Sequence, residues 1–298
     1  MNRRALVGSL GALVLSAGAA LTLSRRSARG PAPAPSRLRL VSLSPALTET
    51  VLALGGGSQL VGVSDYCKLP ETLPLPRVGS SLTPAYEAIA RLHPSHILSD
   101  DSAASKGREL SALGPCEILP WLTLGQVVSS TRRIGELLGR ESAGNALAER
   151  LERELSRKPP ADAPRALLLL SYDPERPAEV WFIRPNSLHG AALTAAGARN
   201  AVAGDVTGLP RLGVEQLLAL DPDVVLIMPP PEASLAQQQR SLEAFEKLAP
   251  LRAVKDGRVA IVRGGTQSVG PSILEQVSAL AEALAQLPRP DPPSGRVE

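Results

Sequence analysis

A small set of polar and aromatic side chains follows the predicted strands of this sequence. Ligands of open α/β sheets bind at the carboxyl ends of the strands, so these loops hold the candidates for a binding site. Aromatic residues make up only 2% of the chain. The phenol of Tyr66 offers a ring face and an oxygen atom to a ligand, although it can also pack at a pocket rim. The candidate ligand-binding residues are Tyr66, Ser80, Ser81, Asp100, Tyr172, Arg211 and Gln267.

Motifs of nucleotide-binding and hydrolytic enzymes are absent from the sequence. The first predicted strand runs into Ser42-Leu-Ser-Pro-Ala46 rather than a glycine-rich phosphate turn, and Gly55–Gly57 come only after the following helix. The sequence has no Gly-x-Ser-x-Gly elbow, Walker loop or evident nucleophile–base pair. His93 and His96 are close together in the first half, and His189 is alone in the second. We therefore expect no enzyme, no cofactor and no metal site.

The charge distribution does not indicate a nucleic-acid partner. The formal net charge is +3 and the pI is about 9.1. Five arginines lie within the first 29 residues, and the others are scattered along the chain. No basic face stands out, so we expect no binding to nucleic acid.

The elements that must position the candidate residues occur as a repeat. Glu87-Ala-Ile-Ala-Arg-Leu-His-Pro94 recurs as Glu215-Gln-Leu-Leu-Ala-Leu-Asp-Pro222, and an aliphatic run follows each copy. The aliphatic spacing predicts a short helix, which the proline ends because the residue before it is pushed out of the α region. Repeated helix–proline–strand units predict parallel sheets, and two such lobes usually bind a ligand between them.

The fold class predicted from these patterns is α/β, with two Rossmann-like lobes of parallel sheet joined by one long connector helix. The apolar pattern from Leu124 to Arg157 favours that helix, with a bend near Gly139–Gly144. The expected domains are an N-terminal lobe over 37–123, the connector over 124–158 and a C-terminal lobe over 159–288. Residues 289–298 are predicted to be a disordered tail.

Residues 1–36 indicate export rather than part of the fold. Arg3-Arg4 precede an uncharged apolar run over 5–24, and a proline-rich spacer follows. The run is either a signal peptide cut after Ala19 or an uncleaved membrane anchor. Sec and twin-arginine export both remain open. No cysteine occurs before Cys67, which excludes a lipoprotein anchor as we interpret the sequence.

The two cysteines are predicted to be free thiols. Cys67 follows the carboxyl end of one predicted strand, and Cys116 precedes the start of another. In a parallel sheet these positions lie at opposite ends, beyond the roughly 7 Å between Cα atoms that a disulfide can bridge.

Several of these segments together resemble a known family. Val41-Ser-Leu-Ser-Pro-Ala-Leu-Thr-Glu49, Val61-Gly-Val-Ser-Asp-Tyr-Cys67 and both Glu-to-Pro repeats are similar to the periplasmic binding proteins of ABC importers for vitamin B12, haem and ferric siderophores. The resemblance covers roughly residues 38–287. It implies two α/β lobes, a ligand in the cleft between them and little hinge motion.

The resemblance also implies a function. We expect an exported, periplasmic, non-enzymatic and monomeric protein that binds cobalamin, haem or a ferric siderophore and delivers it to permease subunits in the inner membrane. Tyr66 lies where relatives place an aromatic residue against the ligand. Leu209 replaces the tryptophan expected for corrin binding, which leaves the ligand open. The alternatives are a metal-ion receptor of the same superfamily, an enzyme using the cleft and a membrane-anchored sensor.

Glu87 and Glu215 carry a separate prediction. An acidic residue in the first turn of a helix is favourable in any case, because it complements the helix dipole. In the resembling family, however, glutamates at these two positions pair with arginines of the permease. We therefore predict that Glu87 and Glu215 dock the protein on its transporter.

Overall fold

The computed structural model describes residues 38–289 except 177–178, 205, 207, 231 and 265–267. The predicted N-terminal segment 1–36, most of the predicted tail and the candidate Gln267 therefore lie outside the described residues. Within the described part of the chain, no helix is long and apolar enough to cross a membrane.

The first lobe is a four-stranded sheet flanked by short helices. Its strands are β1 (Leu40–Ser42), β2 (Leu60–Val63), β3 (His96–Ser99) and β4 (Cys116–Ile118), and its helices are α1 (Pro45–Ala53), α2 (Tyr86–Arg91) and α3 (Gly107–Ser111), with 3₁₀ turns at Gly57–Gln59 and Asp101–Lys106. The strand order is β2-β1-β3-β4, and every pairing is parallel, as the repeat predicted. Since all four strands point the same way, the loops that follow them meet at one edge.

The connector is a pair of helices rather than the one long helix predicted. Helix α4 (Leu124–Leu137) begins at a capping box formed by Thr123 and Gln126, and α5 (Glu141–Leu155) follows after a short turn. Gly139 in this turn has a φ of 67°, a left-handed conformation that ends α4. The chain then folds back, so a methyl group on Gly135 would lie 2.8 Å from the Cα of Gly144.

The second lobe contains a mixed sheet. Its strands are β5 (Arg165–Ser171), β6 (Val180–Phe182), β7 (Arg199–Asn200), β8 (Arg211–Leu212), β9 (Val224–Ile227) and β10 (Val259–Ile261). Its helices are α6 (Leu188–Ala195), α7 (Val214–Leu220), α8 (Leu235–Glu246), α9 (Arg252–Lys255) and α10 (Ile273–Gln286).

The strand order of this second sheet is β10-β9-β5-β6-β8, with β7 paired to β5. The second sheet was predicted to be parallel, and the structure corrects this in part, since the sheet is mixed. Strands β5, β9 and β10 are parallel, but β6 runs antiparallel to β5, and β8 antiparallel to β6. The connection between Ser171 and Val180 is too short for the crossover of a dozen or more residues that a parallel pair needs.

The repeat predicted from the sequence is visible in the backbone. Among the described residues, His93 and Asp221 are the non-glycine residues with positive φ, at 44° and 37°. They stand at equivalent places, directly before Pro94 and Pro222. A following proline disfavours the right-handed α region, and in both copies the residue before the proline leaves that region for a left-handed conformation.

One hydrophobic core runs through both lobes and the connector. A single cluster of buried side chains includes Leu47 of α1, Ile134 of α4, Leu151 of α5, Leu168 of β5 and Leu280 of α10. Apolar burial at about 25 cal/mol per Å² is the main favourable term in folding. The two lobes therefore fold against each other through a shared core.

The cysteines are not bonded to each other. Cys67 follows β2 and Cys116 begins β4, and these two strands are the opposite edges of the first sheet. Three interstrand spacings separate these edges, roughly 14 Å at about 4.8 Å each, which is too far for a disulfide. Burial raises the pKa of both thiols, since it disfavours the charged thiolate.

We therefore expect two equivalents of thiol labelling when the protein is denatured without reductant. In the native protein, labelling at Cys67 should be slow, because its thiol is buried and donates a hydrogen bond to Thr48 Oγ1 at 3.1 Å. Mass spectrometry after alkylation measures both. A denatured protein that takes up no label would contradict the prediction.

Candidate ligand-binding cleft

A cleft opens where the carboxyl ends of the first-lobe strands meet the segment that leads into α10. Its volume is about 520 Å³, within the range of small-molecule sites, which is about 300–1,000 Å³. Side chains of both lobes surround it. The lining residues are Ser44, Pro45, Ala46, Glu49, Tyr66, Lys68, Asp100, Ser268, Val269 and Ser272.

Tyr66 presents its ring to this cleft. Its side chain is 76% exposed, the largest exposure of any large hydrophobic residue in the described part of the chain. The loop that carries it is fixed by Asp65, whose backbone N–H donates to Gly79 O at 2.8 Å and whose carboxylate accepts from the N–H of Gly79 at 3.0 Å. A fixed loop with an exposed phenol is suited to stack on a ligand or to coordinate its metal.

Asp100 also lines the cleft, where it caps the 3₁₀ turn that follows β3. Its carboxylate accepts from the backbone N–H of Ser102 at 3.1 Å and from the Ser102 hydroxyl. These bonds hold the carboxylate at the end of the strand. Asp100 is still part of the lining, so the cleft has an acidic side chain as well as the ring of Tyr66.

Ser80 and Ser81 support the loop rather than line the cleft. Ser81 Oγ donates to Leu43 O at 3.0 Å and accepts from Ser99 Oγ at 3.2 Å. Ser80 Oγ lies 3.1 Å from Thr83 Oγ1 and accepts from the Thr83 N–H at 3.2 Å. Both serines are buried. The Ser81 hydroxyl joins its loop to the residue after β1 and to the end of β3, whereas the Ser80 hydroxyl stabilises its own loop.

The described second-lobe candidates, Tyr172 and Arg211, are not among the residues that line this cleft. Tyr172 is only 4% exposed, and its ring meets that of Phe245 edge-on with centroids 4.9 Å apart. Burial raises the pKa of its phenol. The ring is thus a core side chain that also lines a separate cavity at the carboxyl ends of β5 and β9. Its contact with a ligand stays a prediction. Arg211 forms an ion pair with Glu179 at 2.9 Å.

Sequence reasoning did not predict three contributors to the lining: Glu49, Lys68 and the 268–272 segment. Glu49 lies on α1, whose other side chains are mostly apolar and buried. An acidic residue within such a helix was the available signal, since a half-buried carboxylate requires a partner. Its partners, Ser268 and Ser272, lie more than 200 residues further along the chain.

The two predicted docking glutamates are on the surface. Glu87 lies in the first turn of α2 and Glu215 in the first turn of α7, and both are exposed. Neither forms an ion pair with any residue that the structure describes. Each lobe thus presents one free carboxylate at the same place of its repeat unit.

Across the described ranges, no group of three or more His, Cys, Asp or Glu side chains could hold a metal ion.

The sequence matches a known family over most of its length. Residues 40–264 fit the family model for periplasmic binding proteins. The chain belongs to the periplasmic binding protein family. The family resemblance identified from the sequence motifs is thereby confirmed.

Individual relatives of this periplasmic binding protein agree with the family assignment. An uncharacterized ABC transporter substrate-binding lipoprotein from Bacillus subtilis is 24% identical, over 83% of this chain and 79% of its own. A cobalamin-binding protein from Halobacterium salinarum is 25% identical, over 83% of this chain and 69% of its own. The crystal structure of a periplasmic heme binding protein from Pseudomonas aeruginosa, 28% identical, has a TM-score of 0.66 and covers 84% of this chain and 94% of that one.

Proposed function

We propose that this periplasmic binding protein captures a metal chelate or tetrapyrrole between its lobes and delivers it to an ABC importer. The candidate ligands are cobalamin, haem and a ferric siderophore. The observation that carries the proposal is the exposed phenol of Tyr66 at a cleft of about 520 Å³. Relatives that include a cobalamin-binding protein and a heme-binding protein support the same ligand class.

The side chains that line the cleft suit a ligand that already contains a chelated metal ion. Tyr66, Asp100 and Glu49 supply oxygen atoms, and Lys68 supplies one cation. A chelated ferric ion can accept one phenolate without needing a complete protein ligand set. A flat macrocycle can instead use the ring of Tyr66 as a stacking surface.

A ligand screen tests the proposal. Purified protein is titrated with haemin, cyanocobalamin and ferric desferrioxamine, while absorbance and calorimetry are recorded. We expect one of the three to bind at one equivalent, with a change in its absorption spectrum. Zn²⁺ and Mn²⁺ serve as matched probes for the alternative of a metal-ion receptor. Binding of a bare ion with none of the three chelates would contradict the proposal.

The partners follow from the same proposal. We infer that the protein acts as a monomer, without nucleic acid, and meets permease subunits at the inner membrane. Glu87 and Glu215 are the proposed docking residues, one on each lobe. A permanently anchored sensor with the same fold would need no such pair, so transport is the better supported function.

Export is a testable part of the proposal. If residues 5–24 form a signal peptide, the mature protein should begin at Ala20, as N-terminal sequencing of the periplasmic fraction would show. If they form an anchor, the uncut chain should be found in the membrane fraction. Full-length protein confined to the cytoplasm would contradict both forms of the prediction.

A further inference from the structure

Two side chains of the first lobe hold the segment that leads into α10. Trp121 Nε1 donates to Val269 O at 2.7 Å, and its ring is buried. Glu49 accepts from Ser268 Oγ at 2.6 Å and from the backbone N–H of Ser272. Since Ser268, Val269 and Ser272 line the cleft, these bonds fix one wall of the binding site to the opposite lobe.

The carboxylate of Glu49 takes the place of a local cap on α10. Ser272 is the N-cap residue, but its own side chain makes no capping hydrogen bond. The N-terminus of a helix carries unsatisfied N–H groups and a partial positive charge, so a carboxylate is favourable there. Here the carboxylate comes from α1 in the other lobe. Ser268 Oγ extends the arrangement, because it also accepts from the N–H of Gly270 at 3.1 Å.

Gly270 makes room for this carboxylate. A methyl group added at Gly270 would lie 2.5 Å from Oε2 of Glu49. The φ of Gly270 is outside the left-handed region, so the backbone alone would allow alanine. The need for glycine at this position therefore comes from Glu49, and the two residues form a pair that can be tested together.

We propose that Glu49 is a positioning residue of the cleft. Its carboxylate, supplied by the first lobe, caps α10 of the second and holds residues 268–272 in the conformation that receives the ligand. The inference rests on the proposed function, since it concerns the same cleft. Because residues 268–272 are already held in place, the ligand does not have to order them when it binds. The smaller loss of conformational entropy strengthens binding.

A double-mutant cycle without ligand tests the tether. The variants are Glu49→Ala, Gly270→Ala and the double variant, with hydrogen exchange of the amides of Gly270 and residues 272–276 as the readout. Glu49→Ala should speed exchange at Ser272 by roughly tenfold or more, the scale of one lost hydrogen bond to a charged group. Gly270→Ala should speed exchange in the wild-type background, yet add little once Glu49 is gone. Equal effects of Gly270→Ala in both backgrounds would overturn the proposal.

Dissociation of the bound probe tests the positioning role. With whichever of haemin, cyanocobalamin or ferric desferrioxamine binds, Glu49→Ala should raise the dissociation rate by at least about threefold. Glu49→Gln keeps one oxygen acceptor and should restore part of the slow dissociation. Val277→Ala is the matched control, because Val277 is a buried residue of the same helix away from the carboxylate.

The outcomes separate the two proposals. If Val277→Ala lowers the melting temperature as much as Glu49→Ala but leaves dissociation unchanged, the positioning role is supported. If both variants speed dissociation equally, or if Glu49→Ala changes exchange but not dissociation, Glu49 only stabilises the fold and the inference is overturned. If wild-type protein binds none of the probes, the proposed function fails, while the exchange cycle still decides whether the tether exists.

Discussion

Replacing Tyr66 by alanine is expected to weaken ligand binding by at least about fivefold, which corresponds to about 1 kcal/mol. The ring is 76% exposed at the cleft, so a ligand that reaches it would bury most of its surface. The same exposure means that the ring adds little to the core, and the free energy of unfolding should change by less than about 0.5 kcal/mol. Calorimetry with the bound probe and denaturant unfolding measure the two quantities.

Tyr66→Phe separates the two uses of the ring. If the phenol coordinates iron, the phenylalanine variant should lose affinity and the absorption change together. If the ring only stacks, Tyr66→Phe should bind nearly as well as the wild type. Tyr86→Phe is the matched control, since Tyr86 lies on α2 outside the lining of the cleft. Unchanged affinity of a folded Tyr66→Ala variant would leave Tyr66 with a packing role at the rim.

The sequence was most informative where local chemistry decides the backbone. The repeat of glutamate, aliphatic residues and proline predicted the two helix–strand units, because proline limits the residue before it wherever the segment is placed. His93 and Asp221 confirm this with the same left-handed conformation. The parallel sheet of the first lobe followed from the same pattern.

The wrong predictions depend on contacts between distant parts of the chain. The sequence located a bend near Gly139–Gly144, but the apolar period of residues 124–157 continues through the connector. It could not show that the chain folds back there and packs Gly135 on Gly144. The second sheet was predicted to be parallel because its repeat unit is parallel, while the short connection between β5 and β6 requires an antiparallel pair.

The residues of the candidate site also divide into those that local patterns indicated and those that depend on contacts between distant segments. The loops after the strands gave Tyr66 and Asp100, which both line the candidate cleft, since topology alone brings strand ends together. Their contact with a ligand stays a prediction. Whether a ring at a strand end turns outward or inward depends on its neighbours, and Tyr172 turns inward because Phe245 of α8 meets it. The cap that Glu49 places on α10 joins residues of different lobes, which no local pattern reveals.

Replacing Glu87 and Glu215 together by alanine is expected to leave ligand affinity unchanged and to lower transport several-fold. Both carboxylates are exposed, without an ion pair among the described residues, at equivalent places of the two lobes. An exposed ion pair contributes up to about 1 kcal/mol, so two pairs with a permease would weaken docking by roughly thirtyfold at most. Transport assays and ligand-stimulated ATPase activity with the permease in membranes measure the loss.

A control variant that lacks two other exposed carboxylates shows whether transport depends on the positions of Glu87 and Glu215 or only on negative charge. Glu109→Ala/Glu246→Ala removes two exposed acids, one from each lobe, at places outside the repeat. If general attraction to a basic permease were enough, this control would lower transport as much as the Glu87/Glu215 variant. If the glutamates dock at defined sites, only the Glu87/Glu215 variant should lower transport, and each single substitution should lower it less. The loss of transport should be smaller at high salt, because salt screens exposed ion pairs. Full transport by the double variant, or loss of its ligand binding, would show that Glu87 and Glu215 are not docking residues.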